Sequence, residues 1–373
     1  MDVPTSGSWS HQPAPASQPV HLSWLAPAGM VSLSIVNFLL SVATLGIYSF
    51  WGKTEVRKRL WSGIRIEGEP LEYTGTGKEL FLGFVIVFGA VLMPLLLAQV
   101  GAMLAFGPES GLAATVQFAS IVLVYLLIGV AIYRAQRYRL TRTRGRGIRG
   151  SLVGSSWSYG QAYFWSALLI PLTLGWISPW RSTMLQRKLM EDMRFGDRPF
   201  RFTASSGPLY GRFVGVWIAG IAIYLAMIAV IGAVMWPLIL EAKQTGVQPE
   251  PSATQIGLII ATVFAAGILF GLVSAWYRAK QINHFAAHTH YEGATFRAET
   301  TGSGLIWLTI TNTLLVMLSF GLLAPVAQAR TAGYLVSHMA IDGTVPLESI
   351  AQGAHQDIRI GEGLAQAFDV DAF

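Results

Sequence analysis

The chain has 373 residues, a formal net charge of +6 and no cysteine, so disulfide bonds and thiolate chemistry are excluded. Hydrophobic residues make up 53% of the chain, and charged residues make up only 12%. A composition this apolar predicts that most of the chain lies in lipid, and the absence of cysteine therefore does not identify the compartment.

The chain begins with a segment rich in Pro, Ser and Gln, residues 1–22, which lacks the basic region and cleavage site of a signal peptide. We predict a flexible tail there, with a short strand added at residues 22–26. A repeat-built membrane domain is predicted at residues 23–353, followed by a C-terminal tail at 354–373.

Seven apolar stretches without Asp, Lys or Arg follow the tail. About 20 apolar residues are enough to span the hydrocarbon core of a bilayer. The pattern predicts an all-α polytopic membrane protein. The stretches are residues 31–52, 80–108, 111–133, 161–180, 213–240, 254–277 and 300–329.

A pattern of about thirty residues occurs five times, each time placed directly after a predicted apolar helix. It starts at an anchor glycine, reaches a small or acidic turn residue 22 positions later, and ends at a glycine 31 or 32 positions later. A fixed period indicates one structural unit that has been copied and stacked. The predicted copies are residues 46–77, 129–160, 175–207, 271–302 and 321–353. The motif residues singled out are Gly46, Trp51, Gly68, Gly77, Gly175, Trp180, Gly271, Trp276 and Gly321.

Each copy also contains apolar residues in period-two alternation on both sides of a turn, which is typical of a β-hairpin. Ile64 and Ile66 precede the turn at Gly68, and the same alternation surrounds Gly196-Asp197 and Asp342-Gly343. Because a single hairpin is only marginally stable in water, we expect five hairpins that associate with each other or with the helices.

The distribution of Lys and Arg predicts the topology. All 26 except Lys243 fall in or just after the motif copies, at residues 53–78, 134–149, 181–212, 278–297 and 330–359, whereas the two short connections near residues 107–110 and 241–253 carry Glu. The positive-inside rule therefore places the motifs in the cytoplasm. Seven crossings would put the third and fourth motifs outside, so we predict four full crossings plus three short or re-entrant segments. Two of these show a break near Pro171 and Asn312. The alternative is seven transmembrane helices.

The first motif resembles a known family. Residues 44–53 read Thr-Leu-Gly-Ile-Tyr-Ser-Phe-Trp-Gly-Lys, and Arg65-Ile66-Glu67-Gly68 and Tyr73-Thr74-Gly75-Thr76-Gly77 follow. These runs resemble the signature of the YjgN-type bacterial inner-membrane proteins, a family of unknown function, over residues 23–353. The resemblance implies a multi-pass inner-membrane protein, often encoded near a membrane-associated zinc peptidase, and it brings no catalytic residues. The second copy departs from the pattern at Tyr133-Arg134-Ala135-Gln136.

Two sets of residues are candidates for function. Basic residues near the bilayer attract anionic headgroups by about 1 kcal/mol each, although they equally serve as topogenic charge. Polar residues at membrane depth form interhelical hydrogen bonds or line a pathway. Asn37 and Asn312 each lie nine residues before an anchor glycine, which favours the interhelical role. The basic candidates are Arg57, Lys58, Arg59, Arg137, Arg139, Arg142, Arg144 and Arg146, and the polar candidates are Asn37, Asn312, Gln99 and Gln117.

The sequence gives less support to metal, cofactor or nucleic-acid binding. His284, His288 and His290 have ligand-like spacing, but no cysteine or helix-borne carboxylate completes a site, so no metal and no cofactor is predicted. No aromatic residues alternate with the arginines, so nucleic acid is not expected. We predict a protein that is not an enzyme. We predict a scaffold or regulator that engages anionic lipid or a partner protein, such as the neighbouring peptidase, through its basic repeats. The alternative is a passive channel or transporter with a pathway lined by re-entrant segments. The oligomeric state is not predicted.

Overall fold

The computed structural model describes residues 18–353. The predicted C-terminal tail and residues 1–17 of the predicted N-terminal tail lie outside these described residues. Residues 18–22 of that tail contain strand β1 (Gln18–Pro19) and the first residue of strand β2 (Leu22–Trp24). Strand β2 lies within the strand predicted at residues 22–26.

The helices are α1 (Met30–Ala43), α2 (Ser49–Gly63), α3 (Gly77–Val87), α4 (Met93–Phe106), α5 (Gly111–Arg142), α6 (Ser156–Leu172), α7 (Ser178–Asp192), α8 (Gly207–Thr245), α9 (Ala253–Ala287), α10 (Gly302–Leu318) and α11 (Ala324–Ser337). The strands are β1 (Gln18–Pro19), β2 (Leu22–Trp24), β3 (Ile64–Ile66), β4 (Glu69–Pro70), β5 (Glu72–Tyr73), β6 (Thr143–Gly145), β7 (Ile148–Leu152), β8 (Met193–Phe195), β9 (Arg198–Phe202), β10 (Thr289–Tyr291), β11 (Gly293–Ala298) and β12 (Met339–Val345).

Four helices within the described chain are long and apolar enough to cross a membrane. They have 30 to 39 residues, more than the roughly 20 that a crossing needs. In the first, a short π-helical segment joins α3 to α4. The number agrees with the predicted four full crossings. The four are Gly77–Phe106, Gly111–Arg142, Gly207–Thr245 and Ala253–Ala287.

The other three apolar stretches begin tight helical hairpins. Helices α1, α6 and α10 have only 14 to 17 residues, and each ends at a bend after which α2, α7 or α11 packs back against it. All three bends place a bulky residue at φ 49–50° and the anchor glycine at φ 82–89°. This left-handed pair requires glycine at its second position. The chain therefore reverses at Gly46, Gly175 and Gly321, which does not fit seven full crossings.

Two details of the predicted helices are wrong. Gly129 and Gly271 do not follow a helix but lie inside α5 and α9, because these helices continue past the bilayer without a left-handed residue. The expected breaks near Pro171 and Asn312 are also absent from the described helices. Pro171 lies in the last turn of α6 and Asn312 lies inside α10, so the reversal comes later, at the glycine.

The strands of neighbouring motif copies pair with one another. Nine strands form one antiparallel sheet in the order β1-β12-β11-β10-β9-β8-β7-β6-β5, and β2-β3-β4 form a second. Leu71 alone separates β4 from β5, and β2 lies against β12. The two sheets therefore close into an almost complete ring, larger than the separate small hairpins that the sequence suggests.

The fifth predicted hairpin is not a hairpin. Residues on both sides of Asp342-Gly343 form the single strand β12, which pairs along its length with β11 and at one end with β1. Gly343 stays in the strand at φ 104°, where a Cβ atom would lie only 2.4 Å from the Gly293 carbonyl oxygen. Strand β1, from the start of the chain, takes the place of the missing second leg.

The ring encloses an apolar core to which every motif copy contributes. Tyr291 is buried in this core, and its hydroxyl donates to the Phe195 carbonyl oxygen at 2.9 Å. Burial raises the pKa of the Tyr291 hydroxyl, so it stays protonated as a donor. The core therefore joins all five copies into one body. Its members include Val20, Ile66, Ile148, Phe195, Phe200, Tyr291, Phe296, Ile341 and Val345.

Candidate functional site

The first and third helical hairpins meet where the two ends of the described chain come together, through α1 and α11. A cavity of about 300 Å³ lies between them, which we call the seam cavity. Its walls come from α1, α2, the bend that leads into α11, and the start of α11. The lining residues are Ser34, Asn37, Phe38, Ser41, Ser49, Gly52, Lys53, Val56, Arg57, Gly321, Leu322, Ala324, Pro325 and Gln328.

Asn37 supplies the most deeply buried amide of this cavity, with 9% of its surface exposed. Its Nδ2 donates to the Gly52 carbonyl oxygen at 3.3 Å, which ties α1 to α2. This is the interhelical role favoured by its repeat position. Its Oδ1, however, has no hydrogen-bond partner among the described residues. Buried polar atoms are normally satisfied, so this oxygen can accept a hydrogen bond from a bound group.

Two cations line the same cavity, Lys53 and Arg57. They are four residues apart on α2, which places them on one helix face. Arg57 is buried, and its Nη1 lies 3.5 Å from the Tyr73 hydroxyl at the level of the sheet. None of the described residues that line the cavity is acidic. The seam cavity therefore combines positive charge with an unused acceptor.

The equivalent amide in the third helical hairpin has a different environment. Asn312 donates through Nδ2 to the Ala327 carbonyl oxygen at 3.2 Å and to Thr331 Oγ1 at 3.0 Å. It does not line the seam cavity. Gln99 lines a separate apolar cavity between α4 and α5, and Gln117 is exposed on α5. The four predicted polar residues are thus not brought to one site.

Most of the predicted lipid-contact residues bind other parts of the protein. Lys58 pairs with Glu55 at 2.8 Å, and Arg59 donates to the carbonyl oxygens of Ala28 and Gly29. Arg137 lies over the Tyr133 ring and donates to the Gly154 carbonyl oxygen. The Lys58 pair lies within α2, whereas the bonds of Arg59 and Arg137 to carbonyl oxygens hold α2 and α5 to neighbouring segments.

The arginine-rich run after residue 138 is likewise divided between elements. Arg139 is buried, and Arg142 is the last residue of α5, where its Nη2 donates to Glu79 Oε1 at 2.7 Å. Only Arg144 is in the following strand, opposite Glu72, and Arg146 is in the turn, 3.6 Å from Glu69. Arg142, Arg144 and Arg146 alternate in sequence with Thr143 and Gly145, as in an extended strand with one cationic face, but the structure does not place the three on one strand.

The motif tryptophans and glycines meet in two of the copies. A Cβ atom added to Gly77 would lie 2.6–2.8 Å from Trp51, and one added to Gly302 would lie 2.2 Å from Trp276. In the third copy, nothing lies within 4 Å of Gly207, so Trp180 makes no such contact with it. Where the contact exists, the glycine allows the next helix to start directly against the indole. Gly68, by contrast, is in an open turn at φ 80°.

The sequence analysis missed two carboxylates that accept hydrogen bonds between helices and one lysine that lines the seam cavity. Glu79 accepts hydrogen bonds from Arg142 and from the Tyr138 hydroxyl, and Asp192 accepts one from the Tyr133 hydroxyl at 2.8 Å. Lys53 was overlooked in the seam cavity. The signal for Lys53 is its place seven residues after the anchor glycine, which Gln328 occupies in the fifth copy.

The histidines are held by backbone and hydroxyl groups. His284 Nε2 lies 2.8 Å from the Ser205 carbonyl oxygen, His288 Nδ1 lies 2.8 Å from the His284 carbonyl oxygen, and His290 lies between two threonine hydroxyls. In the part of the chain that the structure describes, no group of three or more His, Cys, Asp or Glu residues could hold a metal ion.

Comparison with known proteins identifies the family to which the chain belongs. A family model described as a bacterial protein of unknown function, DUF898, matches residues 29–367. Inner membrane protein YjgN of Salmonella typhimurium (strain LT2) is 33% identical over 69 residues, which is 18% of this chain and 18% of that protein. Inner membrane protein YjgN of Escherichia coli (strain K12) is 24% identical over 148 residues, which is 38% of this chain and 32% of that protein.

The matched segments thus span a third or less of these relatives. No solved structure matches the chain. The family model nevertheless covers most of the chain, and four of its helices are able to cross a membrane. The chain therefore belongs to the DUF898 family of bacterial proteins of unknown function and is an integral membrane protein, similar to proteins named inner membrane protein YjgN.

Proposed function

We propose that the protein is an inner-membrane scaffold that holds a ring of strands under the bilayer and engages anionic lipid at the boundary. The observation that carries this proposal is the pairing of strands between successive motif copies. Strands β5 and β6 join copies one and two, β7 and β8 join two and three, and β9 and β10 join three and four. Strands that share backbone hydrogen bonds must lie on the same side of the membrane.

The charge distribution supports the cytoplasmic side for this ring. All but one of the 26 Lys and Arg residues fall in or just after the motif copies, and cytoplasmic segments carry the excess of positive charge. The three bends would then point into the bilayer, which suits their apolar tips. Leu45 and Phe320 at these tips are more than nine-tenths exposed.

The contacts of the basic side chains limit where anionic lipid could bind. Basic residues such as Arg59 and Arg142 are engaged with the protein itself, so a broad cationic surface gets little support. In the seam cavity, which lies beside the bends at Gly46 and Gly321, Lys53 and Arg57 are near the unsatisfied Asn37 Oδ1.

A passive pathway past Asn37 and Asn312 gets less support. Asn312 donates to two groups of α11 and is not part of the seam cavity, so the two amides do not line one continuous polar space. The membrane-associated zinc peptidase that the family resemblance implies as a partner is a separate proposal. Capture of that peptidase from solubilised membranes by the tagged full chain would test it.

Lipid retention and solute flux test the scaffold proposal together. We expect native mass spectrometry of the purified chain to show bound phosphatidylglycerol in preference to phosphatidylcholine. In liposomes, we expect the protein to leave the permeability to small ions and sugars unchanged. Equal retention of the two lipids would contradict the proposed lipid engagement, and solute flux that depends on Asn37 would favour the pathway.

A further inference from the structure

A row of polar side chains crosses the strand ring through motif copies two, three and four. Ser151 is directly opposite Arg194, and Arg201 is directly opposite His290. Arg201 lies two residues beyond Pro199, which is opposite Arg194, so the two arginines are diagonal neighbours about 7–8 Å apart. We call Ser151, Arg194, Arg201 and His290 the rim patch, because each lies one residue from the strand end that leads to a helix.

The alternation along the strands turns the rim patch away from the apolar core. Phe195, Phe200 and Tyr291 belong to the core of the ring. Each is next in sequence to a member of the rim patch, and successive side chains of a strand point to opposite faces. Arg194 and Arg201 are accordingly exposed. The rim patch therefore lies on the outer face of the ring, open to solvent.

The two arginines carry charge that the protein itself does not neutralise. Neither Arg194 nor Arg201 forms an ion pair or a hydrogen bond with another described residue. Asp192 and Asp197 are bound to other groups, and the exposed Glu191 forms no ion pair with Arg194. Like charges on neighbouring strands repel each other, so an anion that contacts both arginines is favoured.

The helices hold the rim patch too far from the bilayer for lipid headgroups to reach it. Below the apolar stretches, residues 134–142 continue α5 and residues 278–287 continue α9, which adds nine and ten helical residues. At about 1.5 Å per residue, these extensions place the strands roughly 14–15 Å beyond the hydrocarbon core. The headgroup layer on one side is only about 5–8 Å thick. The anion therefore comes from the aqueous compartment.

The outer face also lacks what nucleic acid would need. Single-stranded nucleic acid binds through bases that stack on aromatic side chains as well as through its phosphates. The aromatic residues that alternate with the arginines, Phe195, Phe200 and Tyr291, are in the core and are not available for stacking. The rim patch is also an open sheet face and not a cavity, so it suits a chain with several charges better than one small anion.

We propose that the rim patch binds an acidic segment of a partner protein on the side of the membrane that holds the ring. Carboxylates of the segment lie against Arg194 and Arg201, whose planar guanidinium groups match a carboxylate in shape and charge. The segment runs across strands β7 to β10, where the backbone groups are already paired, so side chains alone provide the contact. This interaction goes beyond the proposed function, which concerns the ring and lipid.

The test uses two charge variants of the same strand. Arg201→Gln removes a cation of the rim patch, whereas Arg198→Gln removes one from the other end of β9, where it is paired with Asp197 and Glu292. The full chain in phosphatidylcholine nanodiscs is titrated with a fluorescent peptide of alternating Glu and Ser, and fluorescence anisotropy gives the Kd. We expect Arg201→Gln to weaken binding about threefold, the size of an exposed ion pair, and Arg198→Gln to leave it unchanged.

Two further variants separate binding from folding. Arg201→Lys keeps the charge and should retain most of the binding. Arg194→Gln combined with Arg201→Gln should weaken binding about tenfold, because the two contributions add when the sites do not contact each other. Neither arginine has a partner among the described residues, so the thermal unfolding midpoint should stay the same in every variant.

The alternative occupants give different results with the same variants. Equal weakening by Arg201→Gln and Arg198→Gln would show that only net charge matters and would overturn the rim patch. If Arg201→Gln lowers the retention of phosphatidylglycerol in native mass spectrometry, or the binding of single-stranded RNA, but not that of the peptide, the assignment to a protein segment is wrong. Peptide binding that depends on Arg201 supports the rim patch whichever lipid the protein retains, so the proposed lipid engagement can fail separately.

Discussion

At the residue scale, motif glycines are used for two different physical reasons. Gly77 and Gly302 are in ordinary helical conformations but lie directly against Trp51 and Trp276. Gly46 lies in open space but has a left-handed backbone. The repeat therefore preserves the same residue type for close packing at one position and for backbone conformation at another.

The first prediction concerns Gly77→Ala. The new Cβ atom would lie 2.7 Å from the Cα atom of Trp51, which is backbone and cannot rotate away. Overpacking of this kind costs about 1–3 kcal/mol, so we expect a lower free energy of unfolding in detergent. Gly207→Ala, at the equivalent position of the third copy, has nothing within 4 Å and should leave stability unchanged. Equal effects of the two substitutions would show that the indole contact is unimportant.

A second prediction at this scale concerns the ion pair of Glu79. Glu79→Gln keeps the size of the side chain but removes the charge that faces Arg142, whose side chain is only 17% exposed. Leaving this guanidinium without its carboxylate should cost about 1–3 kcal/mol of unfolding free energy. Glu55→Gln removes a charge from the exposed Lys58 pair and should cost under about 1 kcal/mol. If chemical denaturation gives the same loss for both, the Glu79 contact does not stabilise the fold.

At the element scale, the repeat pattern alone did not separate bends from continuous helices. Anchor glycines at 46, 175 and 321 end a short helix, whereas those at 129 and 271 lie within a long one. The bulky residue at φ 49–50° before each bend glycine becomes visible only in the structure. The fifth hairpin escaped prediction for a similar reason. Period-two alternation cannot tell a two-legged hairpin from one strand, and its actual neighbour, β1, comes from the opposite end of the chain.

Alanine substitution should change stability in opposite directions at an anchor glycine in a bend and at one inside a long helix. Gly321→Ala forces a Cβ atom into the left-handed region, which costs about 1–2 kcal/mol, although nothing lies within 4 Å to clash with it. Gly271→Ala falls inside α9, also in open space, and should stabilise it by up to about 1 kcal/mol. Thermal unfolding of the two variants in the same detergent measures the difference. Destabilisation of similar size by both would mean that Gly271 also has a special backbone role.

At the scale of the whole molecule, the sequence predicted the number of helices long and apolar enough to cross a membrane. Apolar length distinguished the four long helices, and the positive charges argued for three segments that return to the same side. The ring of strands and the seam cavity could not be predicted, because both depend on contacts between copies that are far apart in sequence. Asn37 was identified from its repeat position. That its Oδ1 has no hydrogen-bond partner could not be predicted, because this depends on how α1 packs against α2.

The topology itself provides the last prediction. The chain has no cysteine, so single cysteines can be introduced without a background. Glu109→Cys and Gln248→Cys lie in the two short connections, and an impermeant maleimide should label both from the periplasm of intact cells. Arg194→Cys, on β8, should react only after the inner membrane is opened. Seven crossings would reverse the results for Gln248 and Arg194. That outcome would also require β8 to pair with β7 across the membrane, which is physically impossible, so labelling of Arg194→Cys from outside would contradict the strand ring as well as the topology.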